Sequence, residues 1–153
     1  SDKTAAVGQW IAQAFQKAEF PPGVFNLVQG RAEVGKRLVN HDGVDGVLFT
    51  GSYEVGLKIK QDTLTQFHKL LALEMGGKNA TIVWHDADLT KSIYESLIGS
   101  FMTAGQRCSC TSRIILHRKV RDAFVEQFYA AAKKIKIGHW REPVFMGPLI
   151  SAD

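Results

Sequence analysis

A chain of 153 residues with 45% hydrophobic residues is long enough to bury a real core, so one compact domain is the default expectation. Its net charge of +4 is small and its basic residues are mixed with acids, which argues against a nucleic-acid surface, and no apolar run is long enough to span a membrane. No signal peptide is visible, and two closely spaced cysteines in an ordinary globular composition point to a reducing, cytoplasmic setting rather than a disulfide scaffold.

In chain order, "KTAAVGQWIAQAFQKA" (3–18) has the composition and spacing of a helix, stopped by Pro21-Pro22-Gly23. "VFNLVQ" (24–29) reads as a short buried strand and "AEVGKRLVNH" (32–41) as a short helix. "VDGVLFT" (44–50) is a second strand, running into a helical stretch, "GSYEVGLKIKQDTLTQF" (51–67). "KLLALEM" (69–75) and "ATIVW" (80–84) are the third and fourth strands, separated by Gly76-Gly77. A helix over 87–104 steps Leu89, Ile93, Leu97 and Phe101 down one face. "RIILH" (113–117) is another strand, and the basic stretch after it places Val120, Phe124, Phe128, Ala132 and Ile135 on the apolar face of an amphipathic helix. The tail from 138 shows Pro and Gly punctuation and no clear period. Alternating strands and helices predict an α/β layered architecture with mostly parallel strands.

Three stretches carry candidate chemistry. In "FMTAGQRCSCTSR" (101–113) the two cysteines, Cys108 and Cys110, are separated by one residue. A structural zinc site needs about four ligands in paired clusters, and His41, His68, His85, His117 and His139 form none, so no metal is expected. A disulfide between residues two apart closes a strained ring. Two inert core cysteines are the plainer reading, but Thr103, Gly105, Gln106, Arg107 and Ser109 make a poor core and a plausible loop, a setting that suits a nucleophile. Composition alone leaves the choice open. In "FTGSYEVG" (49–56) a strand ends at Thr50, Gly51 turns the chain and Ser52 can cap the next helix, whose amino end suits phosphate. Leu57-Lys58 after Gly56 breaks the P-loop pattern, so an ordinary strand-to-helix turn stays as good a reading. In "LEMGGKNA" (73–80) Glu74 lies within an apolar strand; a buried carboxylate makes a usable general base, whereas an edge residue facing solvent is the plainer alternative.

Together, in this order and spacing, the three stretches closely resemble the aldehyde dehydrogenase superfamily, which reads F-T-G-S-x-x-x-G, then L-E-[LM]-G-G-K, then F-x-x-x-G-Q-x-C. "PPGVFNLVQG" (21–30) and "GPLIS" (147–151) also match, so the likeness spans essentially the whole chain. Within the superfamily, "LALEMGG" with "TAGQRCSC" is most similar to the branch that oxidises N-succinylglutamate 5-semialdehyde in arginine catabolism. The resemblance implies the end of a Rossmann-like, NAD-binding domain over 1–72 and the start of an α/β catalytic domain over 73–153. It implies Cys108 as the thiol that attacks the aldehyde, with its backbone N–H an oxyanion donor, and Glu74 as the base that activates water against the thioester. It further implies that Gly51, Ser52, Tyr53, Glu54, Val55 and Gly56 hold the pyrophosphate of NAD, and that Asp2 accepts from the adenosine ribose. Cys110 is then a bystander, or at most a neighbour able to trap oxidised Cys108. The partners implied are a small-molecule aldehyde and further copies of the same chain, as a dimer or tetramer. The family's tryptophan-asparagine, lysine-proline and glutamate-phenylalanine segments and its oligomerisation strand are not in this sequence. The chain therefore reads as the middle of a larger enzyme, and alone is expected to show negligible activity.

Overall fold

The computed structural model describes residues 2–151, and of Asp2 only the backbone. Among the described residues five helices and four strands follow in the order α1 (Ala5–Lys17), α2 (Ala32–Val39), β1 (Gly46–Gly51), α3 (Tyr53–Asp62), β2 (Leu70–Met75), β3 (Asn79–Val83), α4 (Leu89–Phe101), β4 (Thr111–Leu116) and α5 (Arg121–Ala132). Short 3-10 turns cover Asp2–Thr4 and Met102–Gly105. The chain divides into two compact units, Ser1–Glu74 and Met75–Asp153.

In the first unit β1 pairs with β2. The Leu70 amide donates to the Asp45 carbonyl at 2.8 Å, so the two strands start side by side and run in the same direction. α3 makes the crossover between them, with Ile59 buried. It ends five residues before the sequence pattern does. The Thr63 hydroxyl donates to the Ile59 carbonyl at 2.8 Å, two successive turns carry the chain to Lys69, and Phe67 is left in solvent. Lys69 is itself buried, its Nζ donating to the Val39 and His41 carbonyls at 2.7 and 3.1 Å. That cation satisfies the orphan carbonyls at the end of α2, where the helix dipole favours positive charge.

Residues 24–29 are not the buried strand expected from their apolar run. They form no ladder among the described residues and are held to α1 by side chains. Phe25 stacks on Phe15 with ring centres 4.3 Å apart, and Gln29 Nε2 donates to the Ala5 carbonyl at 3.0 Å. Apolar content makes a segment prone to pairing, but a strand needs a neighbour's backbone groups.

In the second unit β3 and β4 pair in parallel, with Val83 opposite Leu116 and Asn79 opposite Thr111. α4 crosses between them, capped by the Asp88 carboxylate, which accepts from the Lys91 amide at 2.9 Å. The core is Val83, Ile93 and Phe124, with Leu89, Leu97, Ile114, Leu116, Val120 and Phe128 packed around it. Its members come from the apolar faces legible in α4 and α5. α4 lies so close to β4 that a Cβ on Gly99 would sit 2.8 Å from Thr111 Oγ1, so glycine is required there.

The opposite face of this sheet is open: Ile82, Trp84 and Ile115 are exposed. Parallel sheets are ordinarily covered on both faces. The chain exposes 12159 Å². A stand-alone globular protein of this length exposes about 7,700 Å², and two separate units of half the length about 9,300 Å² together. Large apolar side chains, Ile82, Trp84 and Ile115 among them, are part of that exposed surface.

Phe124 is 1% exposed and ties both helices to the sheet. Phe124→Ala is expected to lower stability by about 3–5 kcal/mol, read as a shifted urea midpoint at unchanged slope. A loss under about 1 kcal/mol would place the core elsewhere.

Candidate active site

In the first unit the residues singled out in the sequence gather at the carboxyl ends of β1 and β2. β1 stops at Gly51, and Ser52 takes the extended backbone of an N-cap, its Oγ accepting from the Val55 amide at 3.3 Å. The Gly56 amide makes the first backbone bond of α3, to the Ser52 carbonyl at 3.0 Å. The amides of Tyr53 and Glu54 precede it and have no acceptor within the helix. The turn from Gly51 to Gly56 thus presents backbone N–H groups and the positive end of a ten-residue helix beyond a strand's carboxyl end. Ligands of open parallel sheets bind at such ends.

Glu74 lies near the carboxyl end of β2, next to β1, and belongs to the alternate set of residues, Leu70, Ala72 and Glu74, that face outward. Leu71, Leu73 and Met75 form the half-buried face. Of the two readings of Glu74, the solvent-facing one describes the described chain. Its strand is apolar because the other face is covered, and period two puts the carboxylate on the open one. Asp2 begins the Asp2–Thr4 turn, but its side chain lies outside the described residues.

The thiol loop belongs to the second unit. Thr103, Ala104 and Gly105 have φ values of +55°, +56° and +66°, a run of left-handed backbone directly after α4. For Thr and Ala that conformation costs about 1 kcal/mol or more each. At Gly105 a Cβ would also sit 2.8 Å from the Ser100 carbonyl oxygen. The chain therefore reverses sharply at the end of α4 and delivers Arg107–Cys110 to the amino ends of β3 and β4. The Cys110 amide donates to the Arg107 carbonyl at 3.1 Å, closing a four-residue turn.

The two cysteines differ in kind. Both are free; Cys108 is exposed, whereas Cys110 is buried and its Sγ accepts from the Arg107 amide at 3.3 Å. An exposed thiol on the turn that follows a strained, glycine-bearing reversal can meet a substrate, and a buried thiol that accepts a backbone hydrogen bond closes that turn. Sequence reasoning did not single out Asn79, whose side-chain amide donates to the carbonyls of both Cys108 and Cys110, at 2.5 and 3.2 Å. Its only signal was position, directly after the double glycine and lysine. Among the described residues no three His, Cys, Asp or Glu side chains gather as a metal site, and no helix is long and apolar enough to cross a membrane.

Residues 1–153 match the model of the aldehyde dehydrogenase family. The chain belongs to the aldehyde dehydrogenase family. It is 41% identical to an N-succinylglutamate 5-semialdehyde dehydrogenase of Legionella pneumophila over 155 aligned residues, which are 99% of this chain and 31% of that relative. Among solved structures, proline utilization A from Bdellovibrio bacteriovorus matches with a TM-score of 0.92 at 36% identity, over 97% of this chain and 16% of that one. A 1-pyrroline-5-carboxylate dehydrogenase from Thermus, solved with bound NAD, matches with a TM-score of 0.90 at 35% identity, over 96% of this chain and 30% of that one. The chain thus spans about a third of the length of the curated relatives it matches, and its α/β architecture is that of aldehyde dehydrogenases.

The contrast between the two thiols gives a direct test in the natural-length protein. Cys108→Ala is expected to abolish aldehyde oxidation, while Cys110→Ala keeps most of it and loses about 1 kcal/mol of stability with the turn's hydrogen bond. The reverse ranking of activities would overturn the assignment.

Proposed function

We propose that these residues supply the nucleophile, the hydrolytic base and part of the cofactor site of an NAD-dependent aldehyde dehydrogenase. The observation that carries the reading is the exposed Cys108 on the turn that follows the strained Thr103–Gly105 run, beside a buried, hydrogen-bonded Cys110, in a chain of this family. We assign residues 1–72 to the cofactor domain and 73–153 to the catalytic domain.

The amino end of α3 fits a dinucleotide. Its unpaired amides and the Ser52 hydroxyl would hold the pyrophosphate, with Gly51 and Gly56 bounding the turn and Tyr53, Glu54 and Val55 forming its first helical residues. Bound NAD supplies a hydride acceptor. Cys108 Sγ, as thiolate, attacks the aldehyde carbon to give a thiohemiacetal, and its backbone N–H donates to the developing oxyanion. Loss of hydride from that adduct leaves a thioester on Cys108. Glu74 then takes a proton from water, which attacks the thioester carbon; the carboxylic acid leaves and the thiolate is restored. A base for this step favours release of a free acid.

For the substrate, the name shared by the Legionella relative and an Escherichia coli relative 40% identical supports N-succinylglutamate 5-semialdehyde, an intermediate of arginine catabolism. The open apolar faces support a homo-oligomer, and two free thiols fit the reducing cytoplasm. Asp2, at the start of the chain, is assigned to the adenosine ribose, where a carboxylate accepts from a 2′-hydroxyl and repels a 2′-phosphate.

Two experiments on the natural-length protein test this reading. Glu74→Gln is expected to release one equivalent of NADH in a burst and then stall at the thioester. Linear turnover at the parental rate would show that another group is the base. The parent is expected to prefer NAD over NADP in kcat/KM by about tenfold or more, as close like charges in a solvated cleft predict, and Asp2→Ser to relax that preference. Equal use of both cofactors by the parent, or an unrelaxed variant, would remove Asp2 from the site.

A further inference from the structure

We infer that Asn79 is a positioning residue that sets where the Cys108 thiol stands, by binding the backbone of the thiol loop to the first residue of β3; the inference rests on Cys108 being the nucleophile. The Asn79 amide nitrogen donates to the Cys108 carbonyl at 2.5 Å and to the Cys110 carbonyl at 3.2 Å. Both partners accept only, so the NH₂ rather than the Oδ1 must face them, and its two hydrogens match the two acceptors.

The local backbone is arranged to aim this side chain. The β3–β4 register shifts between Asn79 and Ala80, where Asn79 pairs with Thr111 but Ala80 pairs with Arg113. One residue, Ser112, is thus extra on β4, and such a bulge redirects the side chains beside it. On the other side of the bulge Arg113 donates through its guanidinium to the Lys78 carbonyl. The start of β3 is therefore held to β4 through Lys78 and to the thiol loop through Asn79.

The loop itself offers little other anchorage. From Thr103 to Ser109 it has no ladder, and its internal bonds are the Gln106–Thr103 contact at 3.2 Å and the Arg107–Cys110 turn. Holding the Cys108 carbonyl fixes the peptide plane that follows the nucleophile and with it the position of the Cys108 Cα, which leaves ψ and χ1 of that residue to place the sulfur. Attack on a carbonyl carbon depends steeply on such placement: a displacement of about 1 Å can cost about a hundredfold in rate.

The experiment compares Asn79→Ala with the parent in the natural-length protein, measuring kcat and KM for aldehyde and NAD, and separately the rate at which iodoacetamide alkylates Cys108, followed by peptide mapping. Iodoacetamide needs an accessible thiol but no oriented oxyanion donor or hydride acceptor. The expected result is a fall in kcat of about ten- to a hundredfold, per alkylatable Cys108, with both KM values and the alkylation rate within about twofold of the parent. Should Asn79→Ala fail to fold, Asn79→Gln, which keeps the amide and adds one methylene, carries the test: kcat lowered by about fivefold or more with unchanged alkylation supports the inference. Parental kcat per alkylatable Cys108 in the folded variant overturns it, including the case where only the folded fraction has dropped. Failure of the underlying reading shows differently, as a parent that keeps oxidising aldehyde after Cys108 is fully alkylated.

Discussion

The second unit depends on the parallel pairing of β3 with β4. Parallel neighbours cannot be joined by a tight turn, so the chain between Val83 and Thr111 must travel the length of the sheet and return. α4 makes that journey and closes the core with Ile93 against Val83 and Phe124. Because the ladder runs in parallel, the return has to arrive at the amino ends of both strands at once. The reversal at Thr103–Gly105 and the turn that bears Cys108 occupy that return. The thiol stands where it does because the crossover must end there.

The first unit obeys the same rule with the opposite outcome. β1 and β2 also start together, and their crossover, α3, begins directly at the carboxyl end of β1. Here the useful end is the carboxyl end, where the amino-terminal amides of α3 and the Glu74 carboxylate are found. One unit thus presents the amino end of a helix and the Glu74 carboxylate, and the other an exposed thiol, each set by strand ends and short turns. The exposed Ile82, Trp84 and Ile115 belong to the same picture, since α4 and α5 cover one face of the β3–β4 sheet and leave the other open.

Backbone conformation and side-chain hydrogen bonding are joined most tightly around the thiols. Three consecutive left-handed residues are unfavourable alone, and they persist where surrounding contacts over-determine them. The turn that follows is closed by Cys110 from inside and held by Asn79 from across it. Cys110 is accordingly more than a neighbour of Cys108: its buried thiol accepts a hydrogen bond within the turn on which Cys108 is exposed.

Much of this was readable in the residues. The periodicity of Leu89, Ile93 and Leu97, and of Val120, Phe124 and Phe128, specified α4, α5 and the core they share, because a 3.6-residue period has only one way to bury its apolar stripe. Gly51-Ser52 marked the start of α3, because a cap acts through its own neighbours. The family likeness, carried by three motifs in order, was likewise a property of the sequence. What depends on distant backbone was not legible there. The run 24–29 had the content of a strand but meets no ladder, α3 stopped when Thr63 took a carbonyl of its own helix, and Glu74 faces outward because of which side of β2 is covered. The bond from Asn79 to a loop 29 residues away exists only once the parallel register, with its bulge, has set the two side by side. Sequence determines what is encoded within a few residues, the periods, caps and turns; tertiary structure alone decides which backbone groups of remote segments meet, because that is fixed by register and crossover rather than by any residue's own preference.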